Sequence, residues 1–242
     1  MGPGIIVASA AAAWTAPALA PHAPVVAAAL GIERRLASVE GVALTFDDGP
    51  HRLGTPAVLH ELDRAGATAT FFLVGEQVRR NPGLAGEIAA AGHALGLHGD
   101  RHRNQLRLGP RALADDLARA AATVAEATGR PARVYRPPYG VFSAAGLALV
   151  RRRSLRPLLW SRWGRDWRRR ARPDRIAELA ARDLTAGDVV LLHDADTYSA
   201  PGSWRRTAAA LPALLDAIGR AGLATVAVPQ PGQPPGSAGR GS

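Results

Sequence analysis

The chain has 242 residues, 47% hydrophobic and 21% charged, which suits one large folded domain and excludes a disordered chain. It contains no cysteine, so a disulfide scaffold and any thiolate metal site are excluded, and a metal would need histidine and carboxylate ligands. The formal net charge is +10, and all 30 Lys+Arg residues are arginine.

The arginine clusters lie at Arg151 to Arg153 and at Arg165 to Arg175. They read first as solvated surface in an arginine-biased composition, and second as attraction to an anionic polymer such as nucleic acid, a membrane surface or an acidic cell wall. Aromatics are only 5% and no nucleic-acid motif is visible, so nucleic acid ranks last among these partners.

Residues 2–32 carry no Asp, Glu, Lys or Arg and are rich in alanine, with prolines at 17, 21 and 24. An export signal or membrane anchor is one reading of residues 1–40, and an unstructured start is the other. A signal would want a basic start, absent before Arg34, and Pro21 follows the cleavage-like Ala18-Leu19-Ala20 unfavourably. From 41 to 228 short apolar runs alternate with helical stretches, the pattern of a parallel α/β domain. Strands are expected at Val42 to Phe46, Thr68 to Val74, His93 to Leu97, Arg133 to Tyr135, Leu155 to Trp160, Val189 to Leu192 and Ala224 to Val228. Helices are expected near 55–65, 83–91, 110–128, 143–152, 174–184 and 204–220, with Gly129-Arg130-Pro131 as a stop. Residues 229–242, mostly Pro, Gly and Ser, read as a disordered tail.

Seven strand–helix units could close into a barrel or lie open as a doubly wound sheet. In both, a site forms beyond the carboxyl ends of the strands. The polar residues that follow directly on strands are Asp47 and Asp48, then His98, Arg136 and His193. Four separate strands thus deliver ionisable groups to one end.

Thr45-Phe46-Asp47-Asp48-Gly49-Pro50 places two adjacent carboxylates at a strand end, where they repel unless a cation lies beside them. In His98-Gly99-Asp100-Arg101-His102 the two histidines are four apart. On a helical turn that spacing puts their Cβ atoms roughly 5–6 Å apart, close enough for one ion at about 2 Å. Two histidines and one carboxylate, here Asp48, form a standard protein ligand set that leaves a position open. Arg133 to Gly140, RVYRPPYG, holds two consecutive prolines that forbid a helix and fix a rigid turn after Arg136. His193 ends a continuous apolar run and enters the same mouth.

These segments resemble the sequence blocks of the polysaccharide deacetylases, the NodB homology domain of carbohydrate esterase family 4, in order over roughly residues 41–228. The resemblance implies an α/β fold, an incomplete or distorted (β/α)7 barrel, and a hydrolase that removes N-acetyl groups from a GlcNAc-containing polysaccharide such as peptidoglycan or a chitin-like oligomer. An O-acetyl esterase acting on xylan and a non-catalytic glycan-binding domain are the alternatives. It implies one divalent metal ion, zinc first with cobalt or nickel as substitutes, held by Asp48, His98 and His102. Asp47 would be the general base, Arg136 would pair with and orient it, and His193 would be the general acid, held by Asp166. The backbone N–H of Tyr139 would stabilise the oxyanion, and Trp167 and Leu191 would line a pocket for the acetyl methyl group. The suspected substrate favours action outside the cell or at its envelope. Two departures stand out: Trp163 occupies a position that is often acidic in the family, and Asp100 and Arg101 lie between the histidines where aromatic and hydroxyl residues are frequent.

Overall fold

The structure, a computed structural model, describes residues 14–230. Residues 1–13 and most of the tail expected to be disordered lie outside the described residues. The sheet contains β1 (Gly41–Asp47), β2 (Ala69–Leu73), β3 (Ala94–Leu97), β4 (Val134–Tyr135), β5 (Arg156–Pro157), β6 (Arg162–Trp163), β7 (Val189–His193) and β8 (Ala224–Thr225). Its order is β5-β4-β3-β2-β1-β7-β6, every pair is parallel, and β8 pairs with the start of β1. The result is a curled half-barrel with helices outside.

All seven residues of β1, all five of β2 and four of five in β7 are buried. That explains their near-continuous apolar reading: a parallel strand covered on both faces has no solvent side to alternate with. The six expected helices are present, at Gly54–Arg64, Pro82–Ala90, Pro110–Thr128, Ala144–Arg152, Pro173–Ala181 and Ser203–Arg220. The longest ends on left-handed Gly129, whose N–H donates to the carbonyl of Ala125.

Eight strands replace the expected seven. The additional strand, Arg162–Trp163, has two residues of mixed polarity and no periodicity to reveal it. The run expected from Leu155 to Trp160 pairs with β4 only at Arg156 and Pro157, and Leu158 instead bridges Glu33 of the N-terminal segment. A short helix at Gly75–Arg80 was not expected.

Edge strands β5 and β6 do not pair with each other in the sheet order. The N-terminal segment lies in that gap. Glu33 donates its N–H to the carbonyl of Pro157 at 3.1 Å and accepts from Leu159 at 2.8 Å, and Leu36 donates to Gly187 at 2.8 Å. Arg35 and Arg162 both pair with Asp188, and Ala20, Ala27, Ile32 and Leu36 are buried in the core. Residues 14–36 therefore strap the open side of the barrel. No helix among the described residues is long and apolar enough to cross a membrane.

Candidate active site

Sheet register brings the expected residues together. Asp47 on β1 is directly opposite His193 on β7, and Leu97, which precedes His98, is opposite Tyr135, which precedes Arg136. Side chains in a strand alternate, so Thr45 and Asp47 share the face that carries Leu191 and His193 on the neighbouring strand.

Asp48, at φ +79°, turns out of the strand, and its Oδ1 lies 3.4 Å from His98 Nε2 and 3.3 Å from His102 Nε2. That Oδ1 is buried with no hydrogen-bond partner. His98 Nδ1 is 2.8 Å from the carbonyl oxygen of Arg136. A carbonyl only accepts, so Nδ1 carries the proton and the Nε2 of a neutral ring presents a lone pair to the carboxylate. Lone pairs converging at this range repel unless a cation lies among them, and a backbone carbonyl behind a histidine is a common orienting partner of a metal ligand. Ligand atoms of Asp48, His98 and His102 all fall within 4.8 Å of one another. The residues fit a divalent cation.

The loop that carries the histidines is not the expected helical turn. Residues 98–104 are irregular, and Gly99 is left-handed at φ +84°. The two rings still lie 5.3 Å apart because other contacts hold the loop. Gly75 and Glu76 donate backbone N–H groups to Gly99 and Asp100. The buried Asp100 carboxylate binds Arg79 at 2.6 Å and Arg119 at 3.3 Å, while its N–H donates to Asp116. The departure at Asp100 is thus an anchor.

Arg136 is wholly buried. Its Nη1 donates to Asp47 Oδ1 at 2.6 Å and to Thr45 Oγ1 at 2.9 Å, and its Nη2 donates to the carbonyl of Leu159 at 2.9 Å. The guanidinium also lies 4.0 Å from the centre of the Phe72 ring. Burial pulls its pKa down and Asp47 opposes that. Asp47 Oδ2 remains toward the cleft, 3.8 Å from His98 Nε2.

Across the cleft, Asp166 receives the N–H of His193 at 2.7 Å, the Thr207 hydroxyl at 2.7 Å and His193 Nδ1 at 2.9 Å. This fixes the proton on Nδ1 and leaves Nε2 free. Burial disfavours a charged imidazole, yet the charge and hydrogen bond of Asp166, backed by Asp48 and Asp47, push the His193 pKa up to about 10. Trp167 meets His193 edge-on at 5.6 Å. Leu191 is buried one step down the same strand face.

After Pro137 the turn carries Tyr139 at φ +61° and Gly140 at φ +70°. A Cβ at Gly140 would lie 2.5 Å from the Trp160 ring, so that position needs glycine both for space and for conformation. The exposed Tyr139 ring meets His102 at 4.4 Å.

Two neighbours escaped the sequence reading. Tyr198 stacks on His102 at 4.3 Å and 10°, and its hydroxyl donates to Glu76 and accepts from Gln77. Its signal was its place in the loop that follows the His193 strand. Asp194 is buried behind Gly49, accepts the Thr55 hydroxyl, and is pushed up to about 7 mainly by burial. It directly follows His193, but nothing in its type or spacing sets it apart.

Residues 37–157 match the family model described as polysaccharide deacetylase. The chain belongs to that family. A chitooligosaccharide deacetylase of Bradyrhizobium sp. (strain ANU 289) is 34% identical over 214 residues, covering 82% of this chain and 95% of the relative. A peptidoglycan-N-acetylglucosamine deacetylase of Bacillus cereus is 32% identical over 189 residues, covering 77% and 85%. Among solved structures, the Bc1960 peptidoglycan N-acetylglucosamine deacetylase superposes with a TM-score of 0.76 at 26% identity, covering 82% of this chain and 90% of that one. The expected distorted (β/α)7 barrel agrees with this likeness.

Proposed function

We propose that this polysaccharide deacetylase is a metal-dependent hydrolase that removes N-acetyl groups from a GlcNAc-containing glycan, acting outside the cytoplasm or at the cell envelope. The observation that carries the reading is the pairing of two differently prepared groups across one cleft. Asp47, held by Arg136, faces a buried Asp48-His98-His102 cluster, and His193, held by Asp166, faces it from the other side. The relatives named as chitooligosaccharide and peptidoglycan-N-acetylglucosamine deacetylases support the substrate class.

Asp48, His98 and His102 would hold the cation, with zinc as first choice and cobalt or nickel as substitutes for this donor set. A divalent cation there supplies Lewis acidity, polarising the acetyl carbonyl and lowering the pKa of water from 15.7 to about 7. Asp47 accepts the proton of the attacking water on Oδ2, while Arg136 keeps Oδ1 occupied and the carboxylate aimed. The backbone N–H of Tyr139, on a turn fixed by Pro137 and Pro138, donates to the oxygen that gains charge. His193 then delivers a proton from Nε2 to the departing amine nitrogen, which could not leave as an anion. Trp167 and Leu191 line the pocket for the acetyl methyl group.

Acetate release from chitin oligosaccharides, peptidoglycan and acetylated xylan, with and without supplied metal, tests this reading. Release from the first two that depends on metal is expected. Release from xylan alone would replace the amidase with an ester hydrolase, and release from none would leave a glycan-binding domain.

A further inference from the structure

The arginine-rich loop after β6 has a feature that a solvated charge run would not produce. Trp163 is opposite Leu191 in the β6–β7 register, and its ring continues a wall formed by Trp160 at 5.8 Å and Trp167 at 5.3 Å. Trp167 in turn touches His193. The rings therefore run from His193 through Trp167 and Trp163 to the buried Trp160, and Trp163 stays partly exposed. From the N-terminal strap, His22 approaches the same ring at 6.2 Å.

Arg165 adopts a left-handed backbone at φ +53°, and its guanidinium lies 5.0 Å from the centre of the Trp163 ring. Among the described residues it has no carboxylate partner, whereas Arg172 and Arg175 on the same stretch pair with Asp174 and Glu178. Arg168, Arg169 and Arg170 are exposed and equally without acidic partners among the described residues. The carboxylate between them, Asp166, is turned inward and committed to His193. A guanidinium lying over an aromatic face keeps its N–H edge free to form paired hydrogen bonds with a carboxylate.

We infer that the His193 side of the cleft selects glycans that carry carboxylates next to the acetylated sugar, with Arg165 as the carboxylate contact and Trp163 as the ring that seats its guanidinium. This rests on the deacetylase reading and adds charge selection to it. The cation is poised above the ring beside the site, so the neighbouring sugar, not the one losing its acetyl group, would bear the acid. The unpaired arginines that follow would raise the local concentration of an acidic polymer.

The test uses one glycan in two forms: peptide-free alternating N-acetylglucosamine–N-acetylmuramic acid strands with free carboxylates, and the same strands with those carboxylates methyl-esterified. Affinity for the metal-loaded chain is measured alongside kcat/KM for acetate release, in the natural chain and in Arg165→Gln and Arg165→Lys. Esterification is expected to weaken affinity and kcat/KM about fivefold, the scale of an exposed charge pair at its upper end. Arg165→Gln should reduce that ratio toward one, Arg165→Lys should keep most of it, and added salt should shrink it. Equal affinity for both forms in the natural chain, or a ratio untouched in Arg165→Gln, would overturn the inference while leaving the deacetylase reading intact. If neither form released acetate, the deacetylase reading would fall, and the affinity ratio would still decide the charge selection by itself.

Discussion

Replacing Asp166 with Asn separates its charge from its shape. The amide oxygen can still accept from the His193 N–H and from Thr207, so the local packing should persist. What disappears is the negative charge, the largest influence raising the His193 pKa, while burial continues to press that pKa downward. The natural imidazole, with a pKa of about 10, is roughly nine-tenths protonated at pH 9. With a bound cation offsetting Asp48 and Asp47, burial would return it to the ordinary 6.5 or below, where it would be protonated in only about 0.3% of molecules at that pH. Assayed as kcat/KM for acetate release across pH, the variant should lose about 300-fold at pH 9 and far less at pH 6. Its alkaline limb should fall by three pH units or so. The same shift governs stability. A raised histidine pKa stabilises the fold fully below the unfolded value of 6.5, and that contribution is lost as pH rises through about 10, so the variant should show a flatter decline over that window. An alkaline limb that stays within one pH unit or so of the natural one would refute the role assigned to the Asp166–His193 pair.

Asp47→Asn should abolish acetate release while the chain still binds one equivalent of metal, measured by elemental analysis, since Asp47 is bonded to Arg136 and lies outside the ligand set. His98→Ala should lose both metal and activity in the same assays. Arg136→Met should lower the denaturation free energy by about 3–5 kcal/mol, because it strands a buried carboxylate and the carbonyl of Leu159; a loss under about 1 kcal/mol would contradict that ion pair. Gly49→Ala should cost about 1–3 kcal/mol and lower activity, since its Cβ would lie 2.3 Å from the Asp194 carboxylate and displace the adjoining Asp48.

The parts of this molecule legible in its sequence are those in which chemistry and local order coincide. Strands buried on both faces leave long apolar runs, so β1, β2 and β7 were found within a residue or two of their ends. Once the strands were placed, their carboxyl ends named Asp47, Asp48, His98, Arg136 and His193 together. Trp163 belongs to a two-residue strand whose existence depends on its neighbour β7. The histidine pair was recognised by spacing but for a geometric reason that does not hold, because Gly99 and the Asp100 anchor, not a helix, bring the rings together. Tyr198 reaches His102 through tertiary packing alone. Residues 33–36 fill the gap that the sheet leaves open through backbone contacts with distant segments, which no local pattern announces.

The most direct measurement is a titration of the metal-stripped chain with zinc, following acetate released from N-acetylglucosamine oligomers. Activity should rise from near zero and level off at one ion per chain. Full activity before any metal is added, or none after one equivalent is bound, would contradict the account.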